Sequence, residues 1–150
     1  MSDPAIARRE TSERKPLEGI EGWLLVPALY LLIVAFVVAE FLVDSTLPML
    51  RPEILAGNVA ILAGSVVLLA LFFKKLAIVP PLMIVFYLLV VAVSALEVLT
   101  LTRFSDGIAQ AVIDAELPEA RHGLGHALGA AIVWIPYFVV SERVRNTFVE

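Results

Sequence analysis

Four ionisable side chains that could hold a metal ion or exchange a proton lie in the apolar part of the chain. They are Glu40, Glu97, His122 and His126. Carboxylate and imidazole are ligands for zinc and similar ions, and a carboxylate–imidazole pair can also pass a proton. The sequence leaves three interpretations open. The groups are hydrated near the lipid headgroups, or they form a proton or substrate site, or they bind a metal.

The arrangement of the histidines argues against a metal or cofactor. His122 and His126 are four residues apart without the HExxH pattern that places a general base between zinc ligands. A b-type haem that crosses between helices would need a dimer or a ligand from a partner protein, because both histidines share one segment. The chain has no cysteine, which excludes thiolate sites and iron–sulfur clusters. Phosphate-binding glycine loops and a Gly-x-Ser-x-Gly motif are also missing, so we expect no cofactor and no enzymatic activity.

The composition predicts a membrane protein. Hydrophobic residues make up 60% of the 150 residues, and the mean hydropathy is +0.92, whereas roughly 45–50% apolar residues is usual for soluble domains. The net charge is -4 and the eleven Lys and Arg residues are scattered. A nucleic-acid interface needs a basic face, so we expect the lipid bilayer and no nucleic acid as a partner.

Four apolar stretches have the length that a helix needs to cross a bilayer, about 20 residues. They cover residues 23–43, 54–73, 76–102 and 123–140 approximately. We expect an all-α membrane protein, a four-transmembrane-helix bundle with short loops that forms one domain over residues 22–150. Residues 1–21 are polar and mixed in charge, and we interpret them as a mobile tail.

The connection before the fourth span has a weak amphipathic pattern. Apolar positions within residues 105–117 have helical spacing, and Pro118 follows them. We expect a short surface helix in this third loop, ended by Pro118. We also expect a kink at Pro136 within the fourth span.

The distribution of basic residues predicts the orientation, because short cytoplasmic loops carry an excess of Lys and Arg. Eight basic residues lie on the side of the termini and three on the other. Both termini are therefore expected in the cytoplasm. Lys74, Lys75, Arg143 and Arg145 would lie on that side, where they set the orientation or bind anionic lipid. At about 1.5 Å per residue, Glu40, Glu97 and His126 then reach similar depths in the outer third of the membrane.

Small residues predict how the helices pack, because close backbone approach drives association between membrane helices. Gly125 and Gly129 form a GxxxG pattern, and Ala60 and Gly64 have the same spacing. Two alternatives stay open: these residues fill a four-helix bundle, or the GxxxG pattern forms a homodimer. Both imidazoles share the glycine face, so we expect them to point into the bundle.

Two segments carry a resemblance to a known family. They are residues 19–27 (GIEGWLLVP) and residues 134–148 (WIPYFVVSERVRNTF). In these segments the chain resembles the bacterial membrane proteins that share domain of unknown function 2569. The resemblance implies the four-span architecture and a bacterial inner membrane, but no activity. It also suggests that residues of both segments meet between the first and fourth helices: Gly22, Trp23, Pro27, Trp134, Pro136 and Tyr137.

The function is expected to be structural rather than catalytic. Short loops, no catalytic motif and few polar groups favour a non-enzymatic accessory subunit or assembly factor, with a membrane-protein partner or a homo-oligomer. The alternative is a small proton-coupled transporter that uses Glu40, Glu97 and His126. A membrane metalloprotein is the third hypothesis.

Overall fold

The computed structural model describes residues 22–45, 51–103 and 106–149, and this part of the chain contains helices but no strand. A 3-10 turn, Gly22–Leu24, precedes the first helix. The helices are α1 (Leu25–Asp44), α2 (Pro52–Phe73), α3 (Val79–Arg103), α4 (Gln110–Val140) and α5 (Glu142–Thr147). The tail predicted for residues 1–21 lies outside the described residues.

The four long helices are each long and apolar enough to cross a membrane. They have 20, 22, 25 and 31 residues, or roughly 30 to 47 Å at 1.5 Å per residue. The hydrocarbon core is about 30 Å thick. The all-α four-span fold is therefore confirmed, and α4 is long enough to extend beyond the core at one end.

The ends of α2 and α3 follow from local backbone chemistry. Pro52 occupies the first turn of α2, where its missing N–H would have no helical acceptor anyway. After α2, Lys75 adopts a φ of 56°, a left-handed conformation that interrupts the helix. Pro80 and Pro81 lie in the first turn of α3. The third span thus begins at Val79, close to the proline pair and three residues after the predicted boundary.

The start of the fourth helix differs from the prediction. Instead of a separate surface helix that Pro118 ends, a single helix runs from Gln110 to Val140 with Pro118 inside it. Proline has a helical φ, and it removes the one hydrogen bond that the Asp114 carbonyl would accept. Asp114 and Pro118 are both exposed, so water or headgroups at the membrane surface can replace that bond. The helix also continues through Pro136, and the kink predicted there stays a prediction.

The helices pack in chain order. The extensive contacts join α1 to α2, α2 to α3 and α3 to α4, whereas the described residues of α1 and α4 meet only sparsely. Aromatic rings connect the bundle near the α2–α3 turn. Tyr87 of α3 is fully buried, with its ring centroid 5.3 Å from that of Tyr30 on α1 and 6.4 Å from that of Phe138 on α4. The bundle is therefore closed at this end.

Small residues bring α2 against α3. A Cβ atom added to Gly57 would lie 2.8 Å from Cγ2 of Val93, and one added to Gly64 would lie 3.4 Å from the Phe86 ring. The structure thus places Gly64 at a helix contact, as expected, and adds Gly57. Ala60, the other residue of the predicted pair, is exposed.

The glycines of α4 do not pack within the bundle. Cβ atoms added to Gly125 or Gly129 would meet nothing within 4 Å, so for these two glycines the alternative of a contact inside the bundle is wrong and the homodimer alternative stays open. The residues that α4 buries are Ala127, Ala131 and Phe138. Because each residue turns a helix by about 100°, the alanine stripe lies on nearly the opposite side from the glycine stripe.

Candidate binding groove

A groove separates α1 from α4 between the Tyr30 ring and the end of the bundle opposite the α2–α3 turn. We call it the α1–α4 groove. Its volume is about 790 Å³, and its lining residues lie within residues 30–44 of α1, at Ser45 just after α1, at Asn58 and Ile61 of α2, within residues 90–97 of α3 and within residues 115–127 of α4. Pockets that bind ligands typically have about 300–1,000 Å³. The groove is large enough to be a binding site.

The floor of the groove holds a polar pair between α2 and α3. The Asn58 side-chain amide donates to Oε1 of Glu97 at 2.6 Å and to the Ile54 carbonyl at 3.1 Å. Asn58 is only 4% exposed. An amide–carboxylate hydrogen bond in an apolar span avoids the cost of burying either group without a partner. The pair fixes the Glu97 carboxyl where it lines the groove.

Sequence reasoning missed Asn58, although its signal was present. It is the one Asn within the apolar stretch 54–73, and polar amides in membrane helices usually bond to a neighbouring helix. The sequence could not supply its partner. Whether Asn58 meets Glu97 depends on how α2 and α3 are rotated, which Gly57 and Gly64 determine by letting the backbones approach.

Hydrogen bonds join the elements around the mouth of the groove. The Ser45 hydroxyl, just after α1, donates to Oε1 of Glu116 on α4 at 2.6 Å. The Arg51 guanidinium, just before α2, donates to the Asp106 carbonyl at 3.0 Å. Glu116 belongs to the part of α4 that the sequence predicted as a separate helix. The continuous helix therefore brings its carboxylate to the end of α1.

The structure brings together three of the four ionisable residues that the sequence singled out. Glu40, Glu97 and His126 all line the α1–α4 groove. Glu97 is half-buried, whereas Glu40 and His126 are exposed at its edge. His122 is not among the lining residues, and its ring centroid lies 5.9 Å from that of His126.

The expected direction of the imidazoles is wrong for His122, which is exposed and does not line the groove. His126 was also expected to point into the bundle, and it is exposed at the edge of the groove. They share the glycine face of α4, and α4 packs on α3 through its alanine face instead. Among the described residues, no three His, Asp or Glu side chains converge in an arrangement that could hold a metal ion. The geometry gives the metal hypothesis no support.

The opposite end of the bundle carries residues 22–27 of the first segment of the family resemblance and the start of the second, residues 134–140. Pro27 is fully buried, while Trp23 is 70% exposed. Trp134 and Tyr137 form an edge-to-face pair on α4, with ring centroids 5.4 Å apart. Trp134 and Tyr137 pack against the hydrophobic cluster that contains Leu24 and Ala28, the neighbours of Trp23 and Pro27. Direct contact of Gly22, Trp23 and Pro27 with Trp134, Pro136 and Tyr137 stays a prediction.

The short helix α5 gathers basic residues at this end. Phe148, just after α5, packs on Phe72 of α2 with ring centroids 5.1 Å apart, and Val144 is 1% exposed. This contact brings the C-terminal helix to the end of α2. The predicted basic residues then share one end of the molecule: Lys74, Lys75 and Arg145, which are exposed, and Arg143, which is half-buried.

Comparison with protein families identifies the chain. A family model described as a protein of unknown function, DUF2569, matches residues 49–149. The chain belongs to the DUF2569 family. The match includes the segment 134–148 that carried part of the resemblance, and it contains α2 to α5, so three of the four spans and most of the α1–α4 groove of this DUF2569 protein fall inside it. No curated protein and no solved structure gives a significant match.

Proposed function

We propose that this DUF2569 protein is a non-enzymatic accessory subunit or assembly factor of a larger membrane complex. It lies in the bacterial inner membrane with both termini in the cytoplasm, as the distribution of basic residues favours. It binds a transmembrane segment of its partner along the α1–α4 groove. The proposal rests on one observation: α1 and α4, the first and last helices in the packing order, leave the polar side chains between them uncovered.

The uncovered groove is costly in a bilayer. Asn58 and Glu97 form its floor and Glu116 lies at its mouth, while α1 and α4 meet only sparsely above them. Lipid chains cannot hydrogen-bond to such groups, and ionisable residues in membrane spans usually face protein or water rather than lipid. A helix from another protein would separate these groups from the lipid.

The dimensions of the groove suit one face of a helix. Its lining residues extend over 15 residues of α1 and 13 of α4, or roughly 20 Å at 1.5 Å per residue. One face of a partner helix could therefore contact the groove along roughly three to four turns.

Site-specific photocrosslinking in the native membrane tests this proposal. A photoreactive amino acid at Val37, which lines the groove and is 54% exposed, is compared with one at Val66 on α2, which is 58% exposed and not among the lining residues. We expect a discrete protein adduct from Val37 and none from Val66, with mass spectrometry giving its identity. Lipid adducts alone from both positions would contradict the proposal.

A second candidate function is a small proton-coupled transporter. The observation that favours it is the common groove of Glu40, Glu97 and His126, which connects an exposed rim to a half-buried carboxyl. The double variant Glu40→Gln, Glu97→Gln keeps the shapes but removes both charges. Loss of proton uptake by reconstituted vesicles in this variant, with unchanged helicity, would favour transport. If the double variant instead crosslinks to the same partner protein as the unsubstituted protein, the result would favour the accessory-subunit function.

A further inference from the structure

We propose that the α1–α4 groove recognises a basic side chain, the lysine or arginine of a partner's transmembrane segment, and that Asn58 and Glu97 receive its charged end. This inference rests on the proposed function and deepens it, because it names the chemistry by which the groove would select its partner. Three observations carry it: the charges that line the groove, the hydrogen-bonding atoms that its internal bonds leave over, and its apolar walls.

The charges that line the groove are nearly all negative. Five carboxyl groups take part: Glu40, Asp44, Glu97, Glu116 and Glu119. No Lys or Arg is among the described lining residues, and His126 at the exposed edge is the one lining side chain there that can become positive. A cation in the groove would be attracted by all five carboxylates, and an anion would be repelled.

Some hydrogen-bond acceptors in the groove have no described donor. Both described hydrogen bonds of Asn58 use its nitrogen, so its carbonyl oxygen accepts from no described donor, and the residue lines the groove. The described bond to Glu97 uses Oε1 and leaves Oε2. The hydroxyl of Ser45 already donates to Glu116. An ammonium or guanidinium group supplies only donors, so it complements the acceptor atoms of Asn58 and Glu97.

The walls of the groove favour a charged group on an apolar stem. Ile33, Val37 and Val38 of α1 face the groove, as do Ile61 of α2 and Val90 of α3. Lysine and arginine bury their methylene stems against such surfaces while the charged end reaches a polar partner. Arginine can also bind a carboxylate through two parallel hydrogen bonds. A hydrated metal ion would match neither the walls nor the described carboxylates, which do not converge as ligands.

The depth of the pair sets the position that the basic residue must take. Glu97 lies six residues before Arg103, the end of α3, or about 9 Å along the helix. A partner helix that runs alongside would place its Lys or Arg at the same depth, about six residues from the outer end of its apolar stretch. This position defines a probe that can be made without knowing the partner.

Synthetic transmembrane peptides test the inference with the full-length protein in lipid nanodiscs. Three peptides have the same Leu/Ala helical sequence and differ only in carrying Arg, Gln or Glu six residues from the outer end. Energy transfer between labelled peptide and labelled protein measures binding. We expect the Arg peptide to bind at least tenfold more tightly than the Gln peptide, and the Glu peptide to bind most weakly.

Substitutions in the protein test whether the preference for the Arg peptide comes from Asn58 and Glu97. Glu97→Gln should reduce the preference for Arg over Gln to less than threefold, while affinity for the Gln peptide stays the same and reports an intact fold. Glu53→Gln is the matched control, because Glu53 is exposed in the first turn of α2, at the same end of the bundle, and does not line the groove. It should leave the preference unchanged.

Three outcomes would overturn the inference. Equal affinities for the Arg and Gln peptides would remove the cationic selectivity. A preference that survives Glu97→Gln would place it elsewhere. Binding of a soluble cation such as dodecylguanidinium that depends on Glu97, without any preference for the Arg peptide, would make the ligand a small amphiphile and not a partner helix. Crosslinking from Val37 in the native membrane would stand in each case, so the proposed function is tested separately.

Discussion

Asn58 is the single residue on which the floor of the α1–α4 groove depends. Its amide holds the Glu97 carboxyl of a neighbouring helix and also bonds to the Ile54 carbonyl of its own helix. A carboxyl in an apolar span without that partner would lose a charge-assisted hydrogen bond while it stays half-buried. The pair therefore contributes both to the contact between α2 and α3 and to the position of Glu97.

We predict that Asn58→Leu lowers the free energy of unfolding in mild detergent by about 1–3 kcal/mol, because Glu97 keeps its buried position and loses its partner. The double variant Asn58→Leu, Glu97→Leu should recover most of this loss, since two apolar side chains leave no polar group unpaired. Thermal or denaturant unfolding followed by circular dichroism measures both.

Thr102→Val is the matched control for this prediction. The Thr102 hydroxyl is exposed and bonds to carbonyls of its own helix, so its loss should change the stability by less than about 0.5 kcal/mol. If the double variant were less stable than Asn58→Leu alone, the two side chains would not act as a pair.

The sequence predicted the positions of the helices more accurately than the contacts between them. Apolar length predicted all four spans, because an apolar helix of about 20 residues has few alternatives to a bilayer. Pro118 was misread, because proline ends most helices but is tolerated where the freed carbonyl reaches a polar environment. The face of α4 was also misread, since a glycine stripe and an alanine stripe fit the same spacing and only packing on α3 distinguishes them.

This limit explains why the groove itself could not be predicted. The depths of Glu40, Glu97 and His126 follow from counting residues along the spans, and the structure places all three in one groove. The gap between α1 and α4 depends instead on which helices pack together. Apolar length and residue spacing do not reveal that packing order. They also do not indicate that Glu116 reaches Ser45.

The two kinds of glycine in the bundle lead to opposite predictions. Gly57→Ala puts a methyl group 2.8 Å from Cγ2 of Val93, and Val93 is β-branched and stiff. We expect a loss of about 1–3 kcal/mol in the free energy of unfolding. Gly125→Ala meets open space, and alanine is the better helix former, so this control should be neutral or gain up to about 1 kcal/mol.

Unfolding in detergent compares these glycine variants at equal protein concentration. Equal destabilisation by both substitutions would contradict the arrangement, because it would mean that Gly125 also lies at a close helix contact. Stability that rises with protein concentration in the unsubstituted protein and in Gly57→Ala, but not in Gly125→Ala, would place that contact between two copies of the chain, which is the homodimer alternative for the GxxxG pattern.

For the whole molecule, the two ends of the bundle differ in chemistry. One end carries Lys74, Lys75, Arg143 and Arg145 beside the aromatic contacts of α5. The other end carries the acidic groove, with Arg51 bonded to the turn before α4. The same basic residues underlie the proposed orientation, which would place the acidic groove on the outer side of the membrane.

Single cysteines can test that orientation directly, because the chain contains none. We predict that Gly107→Cys, in the exposed turn before α4, reacts with a membrane-impermeant maleimide added to intact spheroplasts. Lys74→Cys, in the exposed turn after α2, should react only after the membrane is opened. Labelling of the two positions in the reverse order would invert the topology and place the groove on the cytoplasmic side.

The outer ends of α1 and α4 are held differently from their other ends. Tyr87 packs between Tyr30 and Phe138, so buried aromatic rings connect the two helices near the α2–α3 turn. At the groove end the Ser45 hydroxyl donates to Glu116, and Phe41 of α1 and Leu117 of α4 pack against the buried residues Ile54 and Leu101. Widening the groove would therefore cost the contribution of a hydrogen bond to a carboxylate, about 1.5–3 kcal/mol, together with these apolar contacts.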